Sequence, residues 1–181
     1  MASTPTVKCA DLPEWLPGTL SLGRGTARDY AELAPLHYRC GRPATWAAVV
    51  SVRHRLHGRD RLAAVGVLSW PTISSRPRTI ALGLGDQTLQ ERAAWANAHV
   101  RTISRVIVRP EYRGAGLAVA VIRGLVARCP TRYVESIAAM GAFHPMFERA
   151  GLARLDAPGC PPYFWADARA LQSPDGPLRN G

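Results

Sequence analysis

The stretch "VRPEYRGAGLAVAVI", residues 108–122, constrains the fold more than any other part of this chain. It follows the β-branched run "RTISRVIV", passes Pro110, an arginine and two glycines, and enters an apolar helical pattern at once. Proline fixes its own φ and has no N–H for a ladder, so it ends a strand. Glycine reaches turn conformations denied to other residues. The stretch therefore predicts strand, tight turn, helix. Ala118, Val121, Ile122, Leu125 and Val126 form one helical stripe with Arg123 outside it, and Pro130 closes the helix. Such a unit belongs to mixed α/β architecture.

Patterning extends the reading in both directions. "TARDYAELAPLHYR" predicts a first helix, with Thr26 as N-cap and Asp29 three residues later, and "GRP" at 41–43 stops it. "ATWAAVVSVRH" (44–54) and "RLAAVGVLSW" (61–70) read as strands joined by the hairpin loop "RLHGRD". In "TLQERAAWANAHV", Leu89, Ala93, Ala96 and Val100 share a helical face, and Thr88 with Glu91 makes a capping box. "RYVESIAAM" (132–140) reads as a strand, "HPMFERAG" as a short helix from Pro145 to a stop at Gly151, and "PPYFWADA" as a last strand. The first 20 residues, with three prolines, are expected to run over the surface. One domain over 1–171, an insertion at 71–101 and a flexible tail at 172–181 complete the expected organisation.

With 47% hydrophobic residues the chain can bury a core and is unlike a disordered one. No apolar run reaches the roughly 20 residues that span a bilayer, and the N-terminus lacks the apolar segment of a signal peptide, so a cytoplasmic protein is expected. The net charge is +10, and every basic residue but Lys8 is an arginine. A positive field favours anionic partners: a nucleotide cofactor, an acidic acceptor or nucleic acid. Arg101, Arg105, Arg109, Arg113, Arg123, Arg128 and Arg132 surround the opening stretch. Basic runs interleaved with aromatics, or a reading motif, would mark a nucleic-acid binder; neither is present. Cys9, Cys40, Cys129 and Cys160 form no C-x-x-C pair, which argues against a zinc ribbon or dithiol redox site and for structural thiols. No metal is expected.

Several loops use paired glycines. A phosphate loop of the G-x-x-x-x-G-K-[S/T] type is absent. A dinucleotide fingerprint would start with Gly114 and Gly116 and find an acid at Glu135, but Val119 holds the third glycine position and the first glycine trails the strand. A plain turn with no ligand would also use glycine. Arg113-Gly114-Ala115-Gly116-Leu117-Ala118 fits R-x-x-G-x-A, and here the sequence resembles the GCN5-related N-acetyltransferases. "VIVRP" resembles that family's approach strand and "MFERAGL" (146–152) its C-terminal signature, so the likeness runs from about Thr102 to Leu152.

The resemblance implies a mostly antiparallel central sheet with flanking helices, splayed at an acetyl-CoA cleft. It implies that Arg113, Gly114, Ala115, Gly116, Leu117 and Ala118 take the pyrophosphate. Backbone N–H groups at a helix start, bared by glycine, suit that role. It further implies that Val106, Ile107 and Val108 present backbone to the pantetheine arm, and that an amine attacks the thioester directly. Many relatives carry a tyrosine as acid where this chain has Phe147. His144, Glu135 and Tyr133 are the substitute candidates for proton transfer, with Tyr163 behind them, and Cys129 is a poor nucleophile candidate. His37, Tyr38 and Arg42 are candidate contacts for an unidentified acceptor. The alternatives are an acyl-CoA-binding module without turnover and a basic RNA-associated protein.

Overall fold

Residues 62–69, "LAAVGVLS", are buried without a break, and a strand of that composition must be covered on both faces. In the computed structural model, which describes residues 16–38 and 41–173, it lies inside a seven-stranded sheet. The strands are β1 (Thr19–Arg24), β2 (Ala48–Leu56), β3 (Arg59–Ser69), β4 (Val100–Val108), β5 (Tyr133–Ile137), β6 (Ala153–Leu155) and β7 (Tyr163–Asp167), in the order β1-β2-β3-β4-β5-β7-β6. All neighbours are antiparallel except β4 and β5. That one parallel pair needs a crossover, which α4 (Leu117–Val126) supplies.

One face of the sheet packs on α4, whose stripe of Leu117, Val121, Ile122, Leu125 and Val126 joins Val50, Leu68, Ile103, Val134 and Phe164 in the larger core. Contact between α4 and β3 is close because Gly66 has no side chain. A Cβ there would lie 2.4 Å from Val121 Cγ1 and 2.8 Å from Leu125 Cδ1. The other face carries α1 (Ala27–Leu33), whose Tyr30 and Leu33 pack with Leu62, Val65, Val67 and Ile107. Both expected capping boxes form: Thr26 with Asp29 on α1, and Thr88 with Glu91 on α3 (Leu89–His99).

The first 20 residues do not all lie on the surface as expected. Residues from Thr19 enter β1, and Leu20 is buried against the sheet. The 71–101 segment contains α2 (Arg76–Ala81) and α3 before β4 begins. The strand expected over 132–140 stops at Ile137, and a 3₁₀ turn takes Ala139–Ala142. After α5 (Met146–Arg149), β6 adds a short edge that patterning missed, and α6 (Ala168–Gln172) is capped by Asp167. Most of the expected tail, like Cys9 and Cys40, lies outside the described residues. Among the described residues no helix is long and apolar enough to cross a membrane.

Candidate functional site

β4 and β5 run together for only three residue pairs: Val100 with Tyr133, Arg101 with Val134, and Thr102 with Glu135. Beyond Thr102 they part. The buried Ser136 hydroxyl, donating to Ile103 O at 3.0 Å, spans the start of the gap. A bulge lies at the same place: Leu68 of β3 faces Ile103 and Val67 faces Arg105, so Ser104 is the extra residue. Bulges bend the strand that carries them. β4 stays paired with β3 as far as Val108, while among the described residues no strand pairs with the opposite edge of residues 104–108. The backbone of Val106, Ile107 and Val108 thus has no strand partner on that side among the described residues.

The strand leads into a tight loop. Pro110–Tyr112 form a 3₁₀ turn, closed by bonds from Arg113 N to Pro110 O and from Ala115 N to Tyr112 O. Gly114 and Gly116 have φ of +86° and +74°, a region that other residues enter only at a cost, and a Cβ at either would meet nothing within 4 Å. The first bond into α4 runs from Ala120 N to Gly116 O at 3.2 Å, so the N–H groups of Leu117, Ala118 and Val119 have no acceptor within the helix. The loop has a firm base. Tyr112 is buried, and its hydroxyl lies 3.0 Å from His54 Nδ1 while His54 Nε2 lies 2.7 Å from Pro17 O. A carbonyl can only accept, so Nε2 holds a proton and the Tyr112 hydroxyl is the ring's second hydrogen-bond partner, at Nδ1.

Most of the arginines clustered in sequence near this loop are already engaged. Arg101 is buried, donates to Val100 O and Asn97 O, and stacks 3.6 Å from the Trp70 ring centre. Arg105, Arg123 and Arg128 donate to backbone carbonyls, Arg109 holds Leu62 O and Glu32, and Arg132 pairs with Asp167. Arg113 is exposed, and its guanidinium has no partner among the described residues.

The proton-transfer candidates do not converge. Glu135 is 1% exposed and accepts four donors: Arg78 Nε at 2.8 Å, Arg78 Nη2 at 2.6 Å, Thr102 Oγ1 at 2.8 Å and Tyr163 OH at 2.8 Å. Burial, reinforced by the neighbouring Glu135 carboxylate, pushes the Tyr163 hydroxyl far above its ordinary pKa and keeps it a donor. Arg78 also donates to Thr72 O in the loop after β3, so its guanidinium joins α2 to that loop and to β5. Tyr133 is half-buried between the rings of Trp95 and Trp165. His144 is exposed on the bend before α5, with no side-chain partner among the described residues. Phe147 is buried and stacks on Phe164 at 4.7 Å, pointing into the core. Cys129 is buried beside Thr131. Sequence reasoning passed over Arg78, Thr102, Ser104 and Ser136. The three hydroxyls had a signal, as polar residues breaking otherwise apolar strands; Arg78 had none.

Of the acceptor candidates, His37 stacks on Tyr38 at 4.8 Å, and Arg42 lines a cavity of about 300 Å³ beside α1.

Neither a family model nor a curated protein sequence matches this chain. Solved structures do. A putative arylalkylamine N-acetyltransferase 7 from the yellow fever mosquito Aedes aegypti is similar with a TM-score of 0.55 at 11% identity, over 93% of this chain and 98% of that one. SsHAT is similar with a TM-score of 0.51 at 12% identity, covering 84% and 99%. A Tyr-to-Phe mutant of KacT gives 0.50 at 13% identity, covering 84% and 97%. The parted parallel pair, the glycine loop and these likenesses give the chain the fold of the GCN5-related N-acetyltransferases.

Proposed function

We propose that the chain is a single-domain, acetyl-CoA-dependent N-acetyltransferase. The observation that carries this reading is that β4, parted from β5 beyond Thr102, runs into a loop with open glycine faces, free helix-start N–H groups and one unengaged arginine, Arg113. Those features fit a diphosphate: the N–H groups supply donors, and nothing bulky shields them. Arg113 and residues Gly114 to Ala118 would hold the diphosphate, and the free edge of Val106–Val108 would pair with the amide-bearing arm. Bound acetyl-CoA supplies the activated acetyl group for an amine.

The chain's own part is to position groups and manage protons. Glu135 is saturated by four donors and locks the junction from which the strands part, so it is a positioning residue in this reading. His144, with unengaged ring nitrogens, is the proton acceptor. The Tyr133 hydroxyl, unbonded among the described residues, is left as a donor.

Thermal unfolding with and without acetyl-CoA tests the reading, using wild type beside Gly116→Ala and Gly116→Trp. Both substitutions strain the positive φ, but only tryptophan fills the open space. A ligand at about 100 times its dissociation constant adds roughly 2.7 kcal/mol, several degrees for a chain of this size. Wild type and the alanine variant should shift and the tryptophan variant should not; no shift in wild type refutes the proposal. An amine panel assayed for thiol release follows. Because Phe147 has no hydroxyl and faces the core, a second reading stands: a CoA-binding module without turnover. Binding with no thiol release from any amine would favour it.

A further inference from the structure

The cavity beside α1 is lined by Ala27, Arg28, Tyr30, Ala31, Arg42 and Trp46. At about 300 Å³ it lies at the small end of the range for small-molecule sites. Its room comes from the two alanines. Its wall is aromatic: Tyr30 and Trp46 meet edge to face, with ring centres 5.1 Å apart. The wall is also fixed, because Tyr30 OH donates to Gly41 O at 3.1 Å and so holds the segment bearing Arg42 and Trp46 against the helix.

The charge is one-sided. α1 has two acids, and both are engaged elsewhere, Asp29 with Arg53 and Glu32 with Arg109. Arg28 and Arg42 are exposed and have no acidic partner among the described residues, and the Trp46 indole N–H has no acceptor there either. Two unneutralised guanidiniums and an indole donor around one aromatic-walled cavity define a complement: a planar apolar body carrying an anionic group.

The cavity is wired to the gap. Ala47 N donates to Leu68 O at 2.7 Å, and Ser69 Oγ donates to Thr45 O at 2.7 Å. Ser69 Oγ also lies 2.7 Å from Ser104 Oγ, the residue of the β4 bulge. A chain of short hydrogen bonds therefore joins the segment forming the cavity wall to the point where β4 leaves β5.

We infer that this cavity binds a small aromatic carboxylate, and, resting on the acetyl-transfer reading, that the acceptor is an amine with a planar body and an anionic group. Calorimetric titration of wild type with indole-3-acetate and with tryptamine tests this, since the two share a ring and carry opposite charges. Acetyl-CoA is titrated in a separate cell. A hydrogen bond to a charged group contributes roughly 1.5–3 kcal/mol, so indole-3-acetate should bind at least about tenfold more tightly than tryptamine. Arg28→Gln combined with Arg42→Gln should erase that preference, and Ala31→Phe, which fills the cavity with both arginines intact, should abolish binding. Equal binding of the two probes, no binding of indole-3-acetate, or indifference to these variants overturns the inference. Probe binding in a protein that does not bind acetyl-CoA would sink the acetyl-transfer reading and leave the anion site. Acetyl-CoA binding without probe binding would do the reverse.

Discussion

The two ends of β4 are built on opposite plans. At Thr102 every polar atom of consequence is spoken for: Glu135, Arg78, Thr102 and Tyr163 form a closed network with three members almost wholly excluded from water. At Val108 the strand runs into a loop whose glycines face open space and whose following helix leaves its first N–H groups unbonded. A closed polar network fixes geometry, whereas unmet donors invite a ligand. Placed on one strand, the first holds still what the second exposes.

Breaking the closed end should cost most. Glu135→Ala leaves Arg78 buried without its partner, and removing one member of a buried ion pair typically destabilises by about 3–5 kcal/mol. Urea unfolding should show that loss, against about 1–2 kcal/mol for Gly116→Ala at the open end, where only backbone strain is added. Similar costs at the two ends would remove the contrast.

Alkaline titration sharpens it. Tyr163 has its pKa raised by burial and then by the Glu135 charge, so the folded protein keeps a proton that the unfolded chain releases from pH about 10 upward. The contribution is complete below that pH and is lost as pH rises. Stability should fall there by up to about 1.4 kcal/mol per pH unit, and Tyr163→Phe should remove that part of the slope.

The smallest effect is expected from Arg61→Ala. This residue pairs with Glu111 at 2.7 Å next to the open loop, but both are about half exposed, and such pairs contribute less than about 1 kcal/mol. A larger loss on unfolding would mean that the loop depends on a surface ion pair rather than on Tyr112 and His54 beneath it.

What could be read in advance follows the same division. The strand–loop–helix unit and the two capping boxes are local: each rests on residues a few positions apart whose conformational preferences are strong. β1 was missed because Thr19–Arg24 is short and follows a proline-rich start, and its status depends on pairing with β2 some 30 residues away. An ion pair from Glu135 to one of the many arginines was legible, but not that Arg78 would supply it, since 57 positions separate the two and a charge carries no address. The place of Glu135 on β5 is local, whereas the completeness of its four-donor shell depends on packing. The cavity beside α1 arises from alanines, and small residues announce nothing in a sequence.

Gly66, deep in β3, has a reach beyond its size. A Cβ added there would lie 2.4 Å from Val121 Cγ1 and 2.8 Å from Leu125 Cδ1, so those side chains, or α4 itself, would have to shift. The seat of the helix that follows the glycine loop thus depends on a hydrogen atom remote from that loop. On the proposed acetyl-CoA reading, a screen for altered cosubstrate affinity should return hits at this buried position as well as at the loop.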